Sequence, residues 1–301
     1  MNPNPLLRAL GLSSGDRAVL IHTDDIGMCQ ASLTAYADLS EHGVISAGSV
    51  MVPCPWFPAT AKFCTEHAAS VDMGVHITLT SEWQSGYRWG PLSTCDPASG
   101  LLDGAGYLPT TTEAVQATAR PDAVRREIET QLQRALDAGI DVTHIDTHMG
   151  TVFHPTFLEG YIQTALSHGI PPFLVRVTPE ILEAHGLDAG LADTLTTLVD
   201  TLEAQGLPMF DDVRSPVFDG PATHLERVQE ALESLNPGLT YLIIHPSKDT
   251  PELRAIMPHG WQARVAEYET FMMDEVRAFT EAQGIQIINW RRLRELMRSR
   301  S

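Results

Sequence analysis

Residues Ala18–Gly27 read AVLIHTDDIG, an apolar run that opens onto two adjacent carboxylates, Asp24 and Asp25, and then Gly27. The apolar part has the character of a strand at the centre of a sheet, and Gly27 permits a sharp turn at its carboxyl end. In α/β folds that end is where ligands bind. Adjacent side chains on a strand point to opposite faces, so the two acids share a site only if the chain is already turning. One of them would then ligate a metal while the other handles protons. A solvated acidic turn is the ordinary alternative.

Outward from this strand the chain alternates. Ala31–His42 has helical spacing closed by Gly43, and Val44–Val52 reads as a second strand. A helix around Phe57–Ala69 leads to Val71–Thr80, where Val75, Ile77 and Leu79 alternate with His76, Thr78 and Thr80. Between Ser81 and Thr112 no period survives; Gly, Pro, Ser and the aromatics Trp83, Tyr87, Trp89 and Tyr107 make a long loop suited to covering a substrate. Pro121 opens a strong helix through Ala138, closed by Gly139, and the strand Asp141–Met149 follows. The pattern repeats as helix Pro155–His168 and strand Phe173–Val177, then helix Leu191–Gln205 and strand Met209–Val213. Helix Ala222–Leu235, strand Thr240–His245, helix Trp261–Gln283 and strand Ile285–Asn289 complete it. About eight strand signals interleaved with helices predict one closed (β/α) barrel over residues 1–301. A doubly wound open sheet is the alternative, but no Gly-rich phosphate loop follows the first strand.

The chain has 301 residues, 43% hydrophobic and 19% charged, with a formal net charge of −18. That charge disfavours nucleic acid and anionic membrane surfaces as partners. No apolar run reaches the ~20 residues of a membrane span, and no secretion signal is evident, so a cytoplasmic protein is expected. The four cysteines, Cys29, Cys54, Cys64 and Cys95, lack the spacing of a zinc site or disulfide framework.

His144-Ile145-Asp146-Thr147-His148 is the strongest chemical signal. A spacing of two puts His144, Asp146 and His148 on one strand face, where burial without partners would be costly. These are ligand types for a divalent cation, with His148 at the barrel mouth and His144 and Asp146 behind it. His76, on the polar face of its own strand, completes an Asp25-His76-His148 set with open positions for water. His245 caps the run Tyr241–Ile244, a placement suited to a proton donor. Arg176 is expected to orient a carboxylate such as Asp24, or to form an ordinary ion pair. His22, His154 and His259 have no such placement and read as surface or supporting residues. Trp83, Tyr87 and Trp89 are candidates for stacking on a bound substrate, or for covering a core.

Taken in order, Thr23–Gly27, Gly74–Thr80, His144–His148, Arg176 and His245-Pro246 resemble the YdjC/ChbG family of carbohydrate deacetylases, over nearly the whole chain. The resemblance implies an irregular TIM-like barrel with metal ligands at Asp25, His76 and His148. It puts the catalytic base at Asp24 and the general acid at His245. It further implies one divalent ion, magnesium or zinc, an N-acetylated sugar substrate and often a homodimer. Two departures touch the rim of the site. His22-Thr23 replaces the usual Asn-Ala, and Met149-Gly150-Thr151 stands where further histidines are common. A different metal hydrolase such as a phosphoesterase, or a sugar-binding descendant without turnover, are the competing classes.

Overall fold

A computed structural model describes residues 2–42, 44–83, 86–184, 186–216 and 223–299. Gly43, expected to close the first long helix, lies outside them, as do positions 84–85 of the long loop. The strands are β1 (Arg17–Ile26), β2 (Ala47–Val50), β3 (Met73–Ile77), β4 (Val142–Thr147), β5 (Asp212–Arg214), β6 (Gly238–Ile244) and β7 (Gln286–Ile287). All pair in parallel in the order β4-β3-β2-β1-β6-β5, and β7 pairs with the first residues of β1. Parallel strands need crossovers, and the helices between them supply these, covering the outside of the sheet.

The expected strand Phe173–Val177 does not form a regular strand. The segment instead makes isolated bridges, Ile145 with Pro172 and Val175 with Phe210. Pro171 and Pro172 lack backbone donors, which interrupts a ladder at its start. Even so, Ile145 N donates to Pro171 O (3.2 Å), Phe173 N to Ile145 O (2.8 Å), and Phe210 N to Leu174 O (3.0 Å). Asp211 N then donates to Leu239 O (2.8 Å). These bonds carry the row of strands from β4 back to β6, so the sheet returns on itself as a single α/β unit with its core inside and beneath the helices. Val19, Leu20 and Ile21 of β1 are fully buried, each contributing about 1.5–3 kcal/mol by its removal from water.

Helix Pro121–Asp137 begins on its proline and ends before Gly139, whose φ of 85° is the left-handed stop expected there. The expected helix Trp261–Gln283 is two, Trp261–Phe271 and Asp274–Ala282, and a further helix, Trp290–Arg298, closes the chain. The loop from Ser81 to Thr112 is packed rather than free. Glu127 of helix Pro121–Asp137 accepts from Leu92 N (2.9 Å) and Ser93 N (2.8 Å), and Arg88 pairs with Asp103 (2.8 Å). No described helix is long and apolar enough to cross a membrane.

Candidate metal centre

The two acids of β1 meet because the strand breaks its own geometry. Asp25 has φ 59°, one of two non-glycine residues in the left-handed region among the described residues, and the β1–β2 register shifts between Thr23 and Ile26. The turn thus falls on Asp25 itself, with Gly27 (φ 83°) completing it. Aspartate tolerates this conformation better than most residues, at a cost of about 1–2 kcal/mol. The consequence is that Asp24 and Asp25 both face the carboxyl ends of β3 and β4.

There, Asp25 Oδ1 lies 3.0 Å from His148 Nδ1 and 3.4 Å from His76 Nε2, and the two ring nitrogens are 3.3 Å apart. An ion bonded at about 2.0–2.1 Å separates adjacent donor atoms by about 2.9 Å in octahedral and about 3.4 Å in tetrahedral geometry. The triangle has the dimensions of one face of such a site. Asp25 Oδ1 is buried and lies against the two ring nitrogens, as a ligand atom of a shared ion would. All three residues are at most 4% exposed.

Each candidate ligand is held from behind. Asp146 Oδ1 sits 2.8 Å from His76 Nδ1, Glu82 Oε1 2.7 Å from His148 Nε2, and Arg264 Nη2 2.5 Å from Asp25 Oδ2. Carboxylates on the far nitrogens of both histidines fix their tautomers and turn the remaining lone pairs inward. Asp146 also accepts from Ser49 (2.9 Å) and Tyr241 (3.2 Å) through Oδ2, so its buried charge is fully partnered.

The electrostatics favour a cation. Burial raises the Asp25 pKa, but Arg264 and His148 outweigh it and hold the carboxyl well below the usual range. Burial would lower His76, yet the charges of Asp146 and Asp24 drive it well above an ordinary histidine. His148 is likewise lifted against burial, to about 9, by Asp25 and Glu82. A field that keeps protons on two buried imidazoles would also attract a metal ion.

Beside the triangle, Asp24 Oδ1 accepts from His22 Nδ1 at 2.6 Å, leaving Oδ2 3.8 Å from His76 Nε2 and 3.9 Å from His245 Nε2. His245 follows β6 and is about a third exposed (35%), the most open of these groups. Its backbone N donates to Glu267 Oε2 at 2.6 Å, and burial raises the Glu267 pKa to about 8. Desolvation pushes the His245 ring below the ordinary histidine value despite the pull of Asp25.

Asp24, Asp25, His76, Asp146, His148 and His245 are therefore gathered toward the carboxyl ends of the strands, and His144 lies deeper, behind His22. Arg176 is not. It pairs with Glu203 (2.9 Å) and Asp211 (2.8 Å) and donates to Asn2 O (2.8 Å), beside the first residues of β6. Two carboxylates nearer than Asp24 claim its guanidinium, and the expected contact with Asp24 is replaced by that of Arg264 with Asp25. Trp89 is also withdrawn, 4% exposed with Nε1 donating to Thr80 O (2.9 Å), which corrects its expected place against a sugar. Trp83 lies nearly parallel to His148 with ring centres 6.0 Å apart, walling that side of the site. Tyr87 donates its hydroxyl to Met28 O.

Sequence reasoning missed Arg264, Glu82 and the role of His22. Arg264 lies within a helix of ordinary composition and Glu82 in an aperiodic loop, so neither carried a local signal. His22 did carry one. It stands two residues before Asp24 on a strand, a spacing that shares a face.

The family model for YdjC-like protein matches residues 18–282. The chain is 32% identical over 292 residues to a carbohydrate deacetylase of Thermus thermophilus, covering 97% of this chain and 99% of that one. It is 24% identical to a carbohydrate deacetylase of Thermoanaerobacter pseudethanolicus, covering 90% and 97%. The fold matches a crystal structure from Enterococcus faecalis, described as a candidate cellobiose-phosphate cleavage protein. That match has a TM-score of 0.72 and 19% identity and covers 91% of this chain and 98% of that one. With the motifs of β1, β3 and β4 in place across the matched span, this chain belongs to the YdjC-like family.

Proposed function

We propose that the protein is a metal-dependent carbohydrate N-deacetylase, hydrolysing the acetamide of an N-acetylated amino sugar or short oligosaccharide. The observation that carries this reading is a set of three ligand atoms, each braced from behind, next to a carboxylate oxygen and an imidazole that hold no part of the ligand set. The carbohydrate deacetylases among its relatives support the substrate class.

A divalent ion, zinc or magnesium, held by Asp25, His76 and His148 would polarise the acetyl carbonyl and make water a stronger acid. Asp24 does the work of a base. Its Oδ1 is occupied by His22, so Oδ2 is the lobe that accepts the proton of attacking water. His245 Nε2 delivers a proton to the sugar nitrogen as the C–N bond breaks, so the amine leaves neutral and acetate is the other product. Such proton transfers typically contribute about 10²–10⁴-fold each. Trp83 stands against the His148 ring on one side of the site.

The test is acetate release from N-acetylglucosamine oligosaccharides by protein stripped of metal and reloaded with zinc, magnesium, manganese or cobalt. Metal-dependent release supports the reading. Absence of acetate with every ion and every chain length overturns it.

A further inference from the structure

Behind Asp24 a line of buried polar side chains runs through the interior of the barrel, away from the metal centre. His22 Nδ1 meets Asp24 Oδ1 at 2.6 Å, and His22 Nε2 meets His144 Nε2 at 2.8 Å. His144 Nδ1 meets Thr143 Oγ1 at 3.0 Å, and Thr143 donates to Asp72 Oδ1. Asp72 Oδ2 accepts from Arg291 N at 2.7 Å, at the start of the last helix. His22, Thr143 and His144 have no exposed surface, and Asp72 is 5% exposed.

The rings are clamped as well as bonded. His144 stacks on Trp290 with centres 4.6 Å apart and 8° between planes, and His22 stacks on Tyr241 at 4.8 Å. Gly74 makes the room, because a Cβ there would come within 2.4 Å of the His144 ring. Neither imidazole has space to turn.

We propose that His22 is the positioning residue of Asp24, and that His144, Thr143 and Asp72 form a hydrogen-bonded chain that fixes His22 with a proton on Nδ1. The argument is one of donors and acceptors. Two nitrogens 2.8 Å apart need one hydrogen between them, so His22 Nε2 and His144 Nε2 take opposite roles. When Asp72 carries the proton, Thr143 donates to His144 Nδ1, His144 Nε2 donates to His22, and His22 keeps its hydrogen on Nδ1. When Asp72 is ionised, Thr143 donates to it, His144 donates to Thr143 through Nδ1, and His22 is doubly protonated. Both arrangements place an N–H on Asp24 Oδ1 and leave Oδ2 free for water. The direction of the base is therefore the same in either state of Asp72, held by the chain behind His22.

The same atoms invite another reading, since His22, His144 and Asp146 each present a donor to a common point. Their nitrogens and oxygens already have protein partners, which favours the chain over a second ion.

The inference rests on the deacetylase reading for its kinetic arm only. In zinc-loaded full-length protein, His22→Ala is expected to lower kcat tenfold or more, with KM and metal content within about twofold. His22→Asn is expected to recover most of the loss, because an amide Nδ2 occupies the place of the ring Nδ1. Thr143→Val, which cuts the chain two side chains away, is expected to lower kcat in the parent and not in the His22→Asn background, where the chain no longer reaches Asp24. Nitrogen-15 spectra of the histidines are expected to show His22 protonated at Nδ1 and disturbed by Thr143→Val.

Equal losses from Thr143→Val in both backgrounds, losses carried by KM or metal content, or two ions per chain with one lost in His22→Ala, overturn the proposal. So does an unprotonated His22 Nδ1. A parent protein that releases no acetate defeats the reading of the reaction, and the spectra then decide the chain by themselves.

Discussion

Glu82 Oε1 lies 2.7 Å from His148 Nε2, so the ring nitrogen left to face Asp25 and His76 is Nδ1. A loop carboxylate thus selects which nitrogen of the candidate ligand His148, just past the end of β4, faces the site. Removing it frees the ring to present either nitrogen. Glu82→Ala is expected to weaken metal affinity about 10–100-fold, while Asp25→Ala, His76→Ala and His148→Ala abolish stoichiometric binding. Competition with a chelator measures the first and elemental analysis the others. Undiminished affinity in Glu82→Ala would remove it from the support of the site.

Metal affinity should rise with pH. His148, lifted to about 9 by Asp25 and Glu82, carries a proton at neutral pH when no ion is bound. A ligand nitrogen must be neutral, so binding expels that proton, and the cost of expelling it shrinks as pH approaches 9. The proton on His148 alone is expected to give up to about tenfold in affinity per pH unit between pH 6 and 8, and the one held on His76 up to about as much again. Calorimetry in buffers of different ionisation heat counts the protons. A flat affinity over that range would mean His148 is neutral before the ion arrives.

The two acids are separable by substitution. Asp24→Asn keeps a side chain of the same shape but one that cannot take a proton from water at neutral pH. It is expected to retain metal and to lose about 10²–10⁴-fold in kcat. An empty site in Asp24→Asn would exchange the roles of Asp24 and Asp25.

What the sequence could convey was set by where each residue lies. A spacing of two put His144, Asp146 and His148 on one face and His76 on the polar face of its own strand, a pattern legible although β1 and β3 carry register shifts and His148 lies just past the end of β4. The one irregularity that matters, the left-handed Asp25, was foreseeable only as a requirement that the chain turn there. Arg264 and Glu82 were invisible because long-range pairing, not local pattern, brings them to Asp25 and His148. Arg176 takes the ordinary ion pair rather than the contact with Asp24, for the same reason. Its strand position was suggestive, but Glu203 and Asp211 come from distant segments whose approach no local spacing encodes. The segment Phe173–Val177 reads as a strand, yet after the two prolines that precede it the chain forms only isolated bridges.

Gly74 offers a test of the packing beneath the site. It lies in β3, where glycine ordinarily weakens a strand, and its lack of a side chain admits the His144 ring. Gly74→Ala forces a methyl group against a ring already stacked on Trp290. Overpacking of this kind costs about 1–3 kcal/mol, and Gly74→Ala should lower the denaturation midpoint accordingly. Unchanged stability would show that His144 can move aside.

His245 is the residue whose role depends most on what leaves. An amine expelled as its anion is prohibitively basic, whereas a phenolate such as p-nitrophenolate departs unaided, so a general acid matters for the first and little for the second. Its ring is the most open in the site and lies 3.9 Å from Asp24 Oδ2. Burial pushes its pKa below the ordinary histidine value, which makes the protonated ring a stronger acid but a scarcer one as pH rises. His245→Ala is therefore expected to cut hydrolysis of an N-acetyl amino sugar by about 10²–10⁴-fold and that of an activated aryl acetate far less. The alkaline fall in the parent's amide activity should begin below the ordinary histidine range and be absent with the aryl ester. Asp24→Asn should damage both reactions, since water needs a base whatever departs. If His245 only binds substrate, both activities fall together and mainly in KM. Equal losses in kcat/KM for amide and ester, with metal content unchanged, would end its assignment as the acid and leave the metal centre standing.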